Sequence, residues 1–178
     1  MDFCIVPTIR FKMLYVFVII SHSRRRLEHV AVTSNPNVSW LKQQIREATP
    51  YGHQPKYLLH DNDPLFTSRD FEHFLTHANI TSVRTSYRSP WQNAICERMV
   101  GILRRELLDH IIPFNETHLR KHVQSYMRDY YNTHRTHQGI GGQTPEISAP
   151  PTPTLSKDTK LVAKPILGGL YQTYEKVA

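Results

Sequence analysis

Cysteine is scarce: Cys4 and Cys96 are the only two, far apart, and neither stands in a CxxC or Cys–His pair. That argues against a zinc finger and a disulfide-dense secreted scaffold, and predicts a reducing, intracellular setting. Long apolar runs are missing too. The longest, Met13 to Ile20, is too short to cross a bilayer as a helix. The start carries neither the basic flank nor the cleavage site of a signal peptide, so no membrane is expected as a partner. Acidic residues are in deficit, 15 Asp and Glu against 22 Lys and Arg, for a net charge of +7 with histidine neutral. That balance favours a polyanionic partner, nucleic acid first and an anionic membrane surface second.

What is present suits one globular domain with an appendage: 178 residues, 39% of them hydrophobic and 21% charged. Phe3–Val6, Met13–Ile20 and Leu27–Thr33 read as strands joined by short turns, an antiparallel meander. The middle strand is apolar on both faces and should lie inside the sheet. Asn35 and Pro36 open a helix with Val38, Leu41, Ile45 and Ala48 at spacings of three or four, ended by Pro50 and Gly52. Lys56–His60 is a fourth strand running into Asp61. Ser68 caps a second helix with Phe71, Phe74, Leu75 and Ala78 in its stripe, and Ile80–Arg84 is a fifth strand. Ser89-Pro90 starts a helix reaching about His110, and Asn115 caps another carrying Leu119, Val123, Tyr126 and Tyr130. The expected order is β-β-β-α-β-α-β followed by helices.

That order brings acids together. Asp2 opens the first strand and Asp61 ends the fourth, and a right-handed crossover through the first helix can make these strands parallel neighbours. Glu97 follows Asp61 with 35 residues between, on the helix that opens at Pro90. Converging carboxylates repel one another unless a cation neutralises them. Their hard oxygens select Mg²⁺ or Mn²⁺ rather than zinc. Two such ions roughly 3.5–4 Å apart serve an in-line phosphoryl displacement. Each acid alone has a plainer explanation: a polar terminus for Asp2, an Asx turn in His60-Asp-Asn-Asp-Pro64 for Asp61, a solvated helix position for Glu97. It is the joint spacing that lifts all three.

The chain resembles the catalytic core of the DDE integrase and transposase superfamily, which includes retroviral integrases and bacterial insertion-sequence transposases. The resemblance runs through Asp61-Asn62 with Phe66, through Ser89-Pro-Trp-Gln-Asn-Ala-Ile-Cys-Glu-Arg98, and through Tyr131-Asn-Thr-His-Arg-Thr-His137 with Ile140 and Thr144-Pro145. It covers roughly residues 2–147 in order. It implies an α/β, ribonuclease-H-like fold, a mixed five-stranded sheet flanked by helices. It implies Asp2, Asp61 and Glu97 as catalytic and metal-binding residues with two Mg²⁺ or Mn²⁺ ions. It further implies attack of water, then of a DNA 3′-hydroxyl, on phosphodiester bonds. The implied partners are element ends, target DNA and further copies of the chain, and the implied location is the bacterial cytoplasm at the nucleoid. Asp63 stands where the family commonly has Gly and is expected to point away from the site. Family members supply strand residues and a helix-turn-helix region before the first acid. The expected organisation is therefore an N-terminally truncated core over 1–147, a Pro-rich linker over 148–159 and a short tail over 160–178.

Four further residues are candidates for contacting DNA: Gln92 and Asn93 in the first turn of the Glu97 helix, and Arg104 and Arg105 further along it, near Gly101. Gln92 and Asn93 equally suit the helix start, and the two arginines a solvated basic face. Arg24-Arg-Arg26 reads as a solvated turn, Arg98 as an anchor to a carboxylate, and His73 and His77 as exposed or capping rather than metal-binding. His134 and His137 read as packing. Two other functions compete with strand transfer: a ribonuclease-H-like nuclease that only hydrolyses, and an inactive remnant that at most binds DNA or a full-length partner.

Overall fold

The computed structural model describes residues 1–50, 54–86, 89–146 and 160–177. Strands β1 (Asp2–Pro7), β2 (Met13–Ile20) and β3 (Leu27–Thr33) form an antiparallel meander with β2 in the centre. Helix α1 (Val38–Ala48) leads to β4 (Tyr57–His60), α2 (Arg69–His77) and β5 (Thr81–Arg84). Helices α3 (Ala94–Glu106) and α4 (Glu116–Ser125) follow, and α4 runs on into a π-helical turn over Tyr126–Tyr131. Side-chain caps sit at Asn37, Ser68 and Asn115, so α1 starts later than the Asn35-Pro36 signal suggests. The stretch from Ser89 opens as a 3-10 turn, Pro90–Asn93, before α3 proper, and Ser89 makes no side-chain capping bond there.

Strand parity builds a three-layer sandwich. Successive side chains of a strand point to opposite faces. On β2, Leu14, Val16 and Val18 join Cys4 and Val6 of β1 against Met99 and Leu103 of α3 and Leu119 and Val123 of α4. Phe17, with Phe3 beside it, faces the other way onto Leu41 and Ile45 of α1 and Phe71 and Leu75 of α2. Phe66 is fully buried there, its ring stacked on Phe3 with centroids 5.3 Å apart. This is why β2 is apolar on both faces.

The sheet differs from the expected single five-stranded one. β4 and β5 pair in parallel with each other and stand apart from the meander. The Met1 ammonium donates to the Leu59 carbonyl at 2.8 Å, the backbone bond that joins β1 to β4. No strand pairing of β1 with β4 occurs among the described residues. A cleft of about 1140 Å³, lined by Ile19 and Ile20 on one side and Tyr57 to Leu59 on the other, separates the ends of β2 and β4. The layers and order still agree with the ribonuclease-H-like expectation.

The expected linker, 148–159, lies outside the described residues. The tail is a hairpin, β6 (Lys160–Ile166) with β7 (Tyr171–Val177). It docks through Tyr171, whose ring stacks on Tyr130 at 3.9 Å between centroids and whose hydroxyl donates to the Glu106 carbonyl. Among the described residues no helix is long and apolar enough to cross a membrane.

Candidate active site

Three elements deliver the three acids. The Met1–Leu59 bond sets Asp2 beside the end of β4, where Asp61 follows His60. Asp61 is held by its neighbours. His60, fully buried, contacts the Asp61 carbonyl through Nδ1 at 2.7 Å and Ser82 Oγ through Nε2 at 2.7 Å. A carbonyl only accepts, so Nδ1 carries the proton and Nε2 accepts from the serine. Burial pushes the His60 pKa down, which keeps the ring neutral in that role. Asn62 donates to the Thr85 carbonyl at 3.1 Å, fastening the loop to the end of β5. Sequence reasoning passed over His60; its place directly before the acid was the available signal.

The Asx turn expected of this loop forms. Asp61 Oδ1 accepts from the Asp63 amide at 3.0 Å, and Oδ2 takes no hydrogen bond among the described residues. Asp63 is used locally, accepting from the Leu65 amide at 2.8 Å. Glu97 lies in the first turn of α3, exposed and without a hydrogen bond among the described residues.

Asp2 registers the convergence. Burial first, then the charges of Asp61 and Glu97, push its carboxyl up to about 6 from an ordinary 3.8, against the lowering effect of the Phe3 amide. Among the described residues, no three of His, Cys, Asp and Glu close to the spacing of a metal-binding cluster. The donor set, three carboxylates and no thiolate, fits a hard divalent ion: the buried Cys4 and Cys96 thiols are both pushed up, away from thiolate.

The four candidate DNA-contacting residues part company. Asn93 is buried, 2% exposed, and its Nδ2 donates to Asp2 Oδ2 at 3.4 Å, while its Oδ1 has no donor. Gln92 is exposed and braces the preceding loop, accepting from the Ser86 amide. Arg104 turns onto the sheet, donating to the Ile5 carbonyl at 3.2 Å. Arg105 lies over Gly101, its Nη1 3.3 Å from where a Cβ would stand, so the space left by that glycine is already taken. Arg98 has no carboxylate partner among the described residues, contrary to the anchor expected of it. His77 Nδ1 contacts the His73 carbonyl, a capping arrangement.

The far end of α3 is clamped by the downstream motif. Arg135 grips Glu106 with Nε and Nη2 at 2.8–3.0 Å, and the Tyr126 hydroxyl donates to the same carboxylate at 2.8 Å. Asn132, buried, both accepts from and donates to the backbone of Leu27, tying the helical layer to β3. The 21–26 turn is not a solvated one. Arg24 donates to the Pro145 and Thr144 carbonyls and to Gln143, and Arg26 pairs with Glu28 and Glu146.

Known proteins share this frame. The described fold is that of retroviral integrase catalytic cores. The HTLV-2 integrase catalytic core domain in complex with magnesium, in its trimeric form, matches with a TM-score of 0.59 and 18% identity, over 81% of this chain and 89% of that one. The simian T-cell lymphotropic virus intasome, solved in complex with PP2A regulatory subunit B56 gamma, matches with a TM-score of 0.67 and 17% identity, over 98% of this chain and 64% of that one. Residues 78–145 match the family model described as integrase core domain. The transposase for insertion sequence element IS904 of Lactococcus lactis subsp. lactis (strain IL1403) is 24% identical over 147 residues, 82% of this chain. The chain spans 58% of that transposase's length. These matches show similarity to an integrase core domain and to an insertion-sequence transposase.

Proposed function

We propose that the chain is the catalytic domain of a DNA transposase, with Asp2, Asp61 and Glu97 holding two Mg²⁺ or Mn²⁺ ions for cleavage and strand transfer. The observation that carries the reading is placement: the Met1–Leu59 bond sets Asp2 beside the strand that runs into Asp61, and Asn93, just before the helix that carries Glu97, donates to Asp2. Asp2, Asp61 and Glu97 would hold such ions, whose chemistry would be charge stabilisation of an in-line phosphoryl displacement. The chain's own part is positional. His60 and Asn62 fix the loop that carries Asp61. Asn93 holds Asp2 from below. The Arg135–Glu106 clamp fixes the helix that carries Glu97. Arg105, exposed on the last turn of α3, supplies charge for a phosphate backbone. The working form is a multimer of this chain on element ends and target DNA, at the bacterial nucleoid.

A strand-transfer assay with end-bearing DNA tests the reading. Joined products that require Mg²⁺ or Mn²⁺ and vanish in Glu97→Gln support it. Products that survive Glu97→Gln overturn it, and cut but never joined strands make the chain a hydrolase. If calorimetry detects no divalent-ion binding, the chain is a remnant that at most binds DNA.

A further inference from the structure

Beside the acids, one stripe further round α3, lies a second cleft of about 570 Å³ between that helix and the 135–142 loop. Arg25, Arg98, Arg135 and His137 line it, with Tyr131 and Gly139. Arg135 is spent on Glu106. Arg25 and Arg98 have no ion pair or hydrogen bond among the described residues, so the cleft carries two uncompensated guanidinium groups.

Two of its donors are buried with nothing to bond. One is Arg25 Nη1. The other is Nε2 of His137, a residue only 9% exposed. Arg135 Nη1 lies 3.2 Å from His137 Nδ1, and a guanidinium has no acceptor, so Nδ1 accepts and Nε2 carries the proton. His137 is held neutral, with its pKa down at about 4, by burial first and then by Arg135. Both orphans are therefore N–H donors, and a buried donor left unmade is costly enough that a native structure supplies an acceptor.

The backbone favours this placement as well. Arg25 has a φ of 59°, the left-handed region that side-chain-bearing residues enter at a cost. The conformation lays its guanidinium along the loop, 3.6 Å from the Cβ position of Gly139. A turn that merely reversed the chain would place glycine or asparagine there.

We propose that this cleft is a phosphate-binding site, in which Arg25, Arg98 and His137 Nε2–H receive a phosphate group of the DNA backbone. An anion answers both orphan donors and the two free charges at once. The site deepens the transposase reading by adding a backbone contact next to the acids, but it uses none of the metal-binding residues. A charge-assisted contact of this kind positions the duplex without reading its sequence.

The test measures affinity for a labelled random-sequence duplex against salt, without divalent metal, for the parent chain, Arg25→Gln and Arg98→Gln. Arg98 is exposed, so its variant keeps the fold even where the Arg25 turn does not. Losing one phosphate contact lowers the log–log salt slope by about one and makes the drop in affinity between about 50 and about 200 mM salt roughly 3-fold smaller. In parallel, inorganic phosphate is titrated into the labelled chain while the Arg25 Nε–H and His137 Nε2–H resonances are followed. A reduced slope in Arg98→Gln supports a backbone phosphate as the ligand. An unchanged slope with saturable shifts from inorganic phosphate supports the same chemistry with free phosphate as its source. Unchanged slopes and no shifts overturn the proposal and leave buried water as the acceptor. Glu97→Gln is run alongside. It abolishes strand transfer if the catalytic reading holds and leaves the salt slope in place, so the two proposals fail separately.

Discussion

Replacing Asp2 with asparagine should stabilise the metal-free protein. The folded chain holds the Asp2 carboxyl at about 6 rather than 3.8, through burial and then repulsion from Asp61 and Glu97. A folded-state pKa above the unfolded one means that the folded chain binds more protons between these values, so stability falls as pH rises through the window. The shift is worth roughly 3 kcal/mol at about 1.4 kcal/mol per pH unit. Asp2 is only partly buried and solvent screens its neighbours, so about 1–2 kcal/mol is the working figure. At neutral pH in chelator, Asp2→Asn should therefore melt roughly 3–6 °C higher than the parent. The advantage should vanish below about pH 4, where the parent's carboxyl is protonated in both states. Geometry permits the exchange. The amide keeps the bond from Phe3, and Asn93 can turn over, since its Oδ1 has no donor. Melting curves across pH, with and without Mg²⁺, check this. A variant less stable than the parent at neutral pH, or a difference that ignores pH, would refute the electrostatic account of the site.

Other outcomes follow from the same structure. Divalent-ion affinity of the parent, measured by calorimetry, should strengthen as pH rises through about 6, because Asp2 must lose its proton to act as a ligand. Phe66→Ala removes a fully buried ring from the Phe3–Phe17–Phe71 cluster and should cost about 3–5 kcal/mol in urea unfolding. Arg135→Leu leaves the Glu106 carboxylate without its cation, and chemical unfolding should show a loss of about 1–3 kcal/mol, less than for a fully buried pair because both side chains are about a fifth exposed. Asn132→Ala strips both bonds from the backbone of Leu27 and should cost about 2 kcal/mol, read the same way.

The local layer was legible in the sequence. The doubly apolar run of β2, the stripe Phe71–Phe74–Leu75 and the caps Ser68 and Asn115 each depend on residues within a turn of one another. What escaped was set at long range. Which strands pair with β4 is settled between segments far apart in sequence, which a strand pattern does not encode. Asn93 reads as a DNA contact or a helix-start residue because nothing nearby in sequence says that Asp2, ninety-one positions away, lies against it. Arg24 looked solvated because its carbonyl partners stand about 120 residues downstream. Joint spacing picked out the three acids as candidates, while the burial that raises the Asp2 carboxyl is set by contacts far along the chain.

Helix α3 works as a lever with one end fixed. Glu97 and Glu106 stand nine residues apart, a span of about 13 Å at 1.5 Å per residue. At the far end, Arg135 and Tyr126 hold the Glu106 carboxylate and Tyr171 of the tail hairpin holds its carbonyl. Any tilt at that anchorage is delivered to Glu97 as a displacement, and a shift of about 1 Å in a reacting group can cost on the order of a hundredfold in rate. Two tyrosines and an arginine that contact none of the three proposed metal ligands thus set the aim of Glu97.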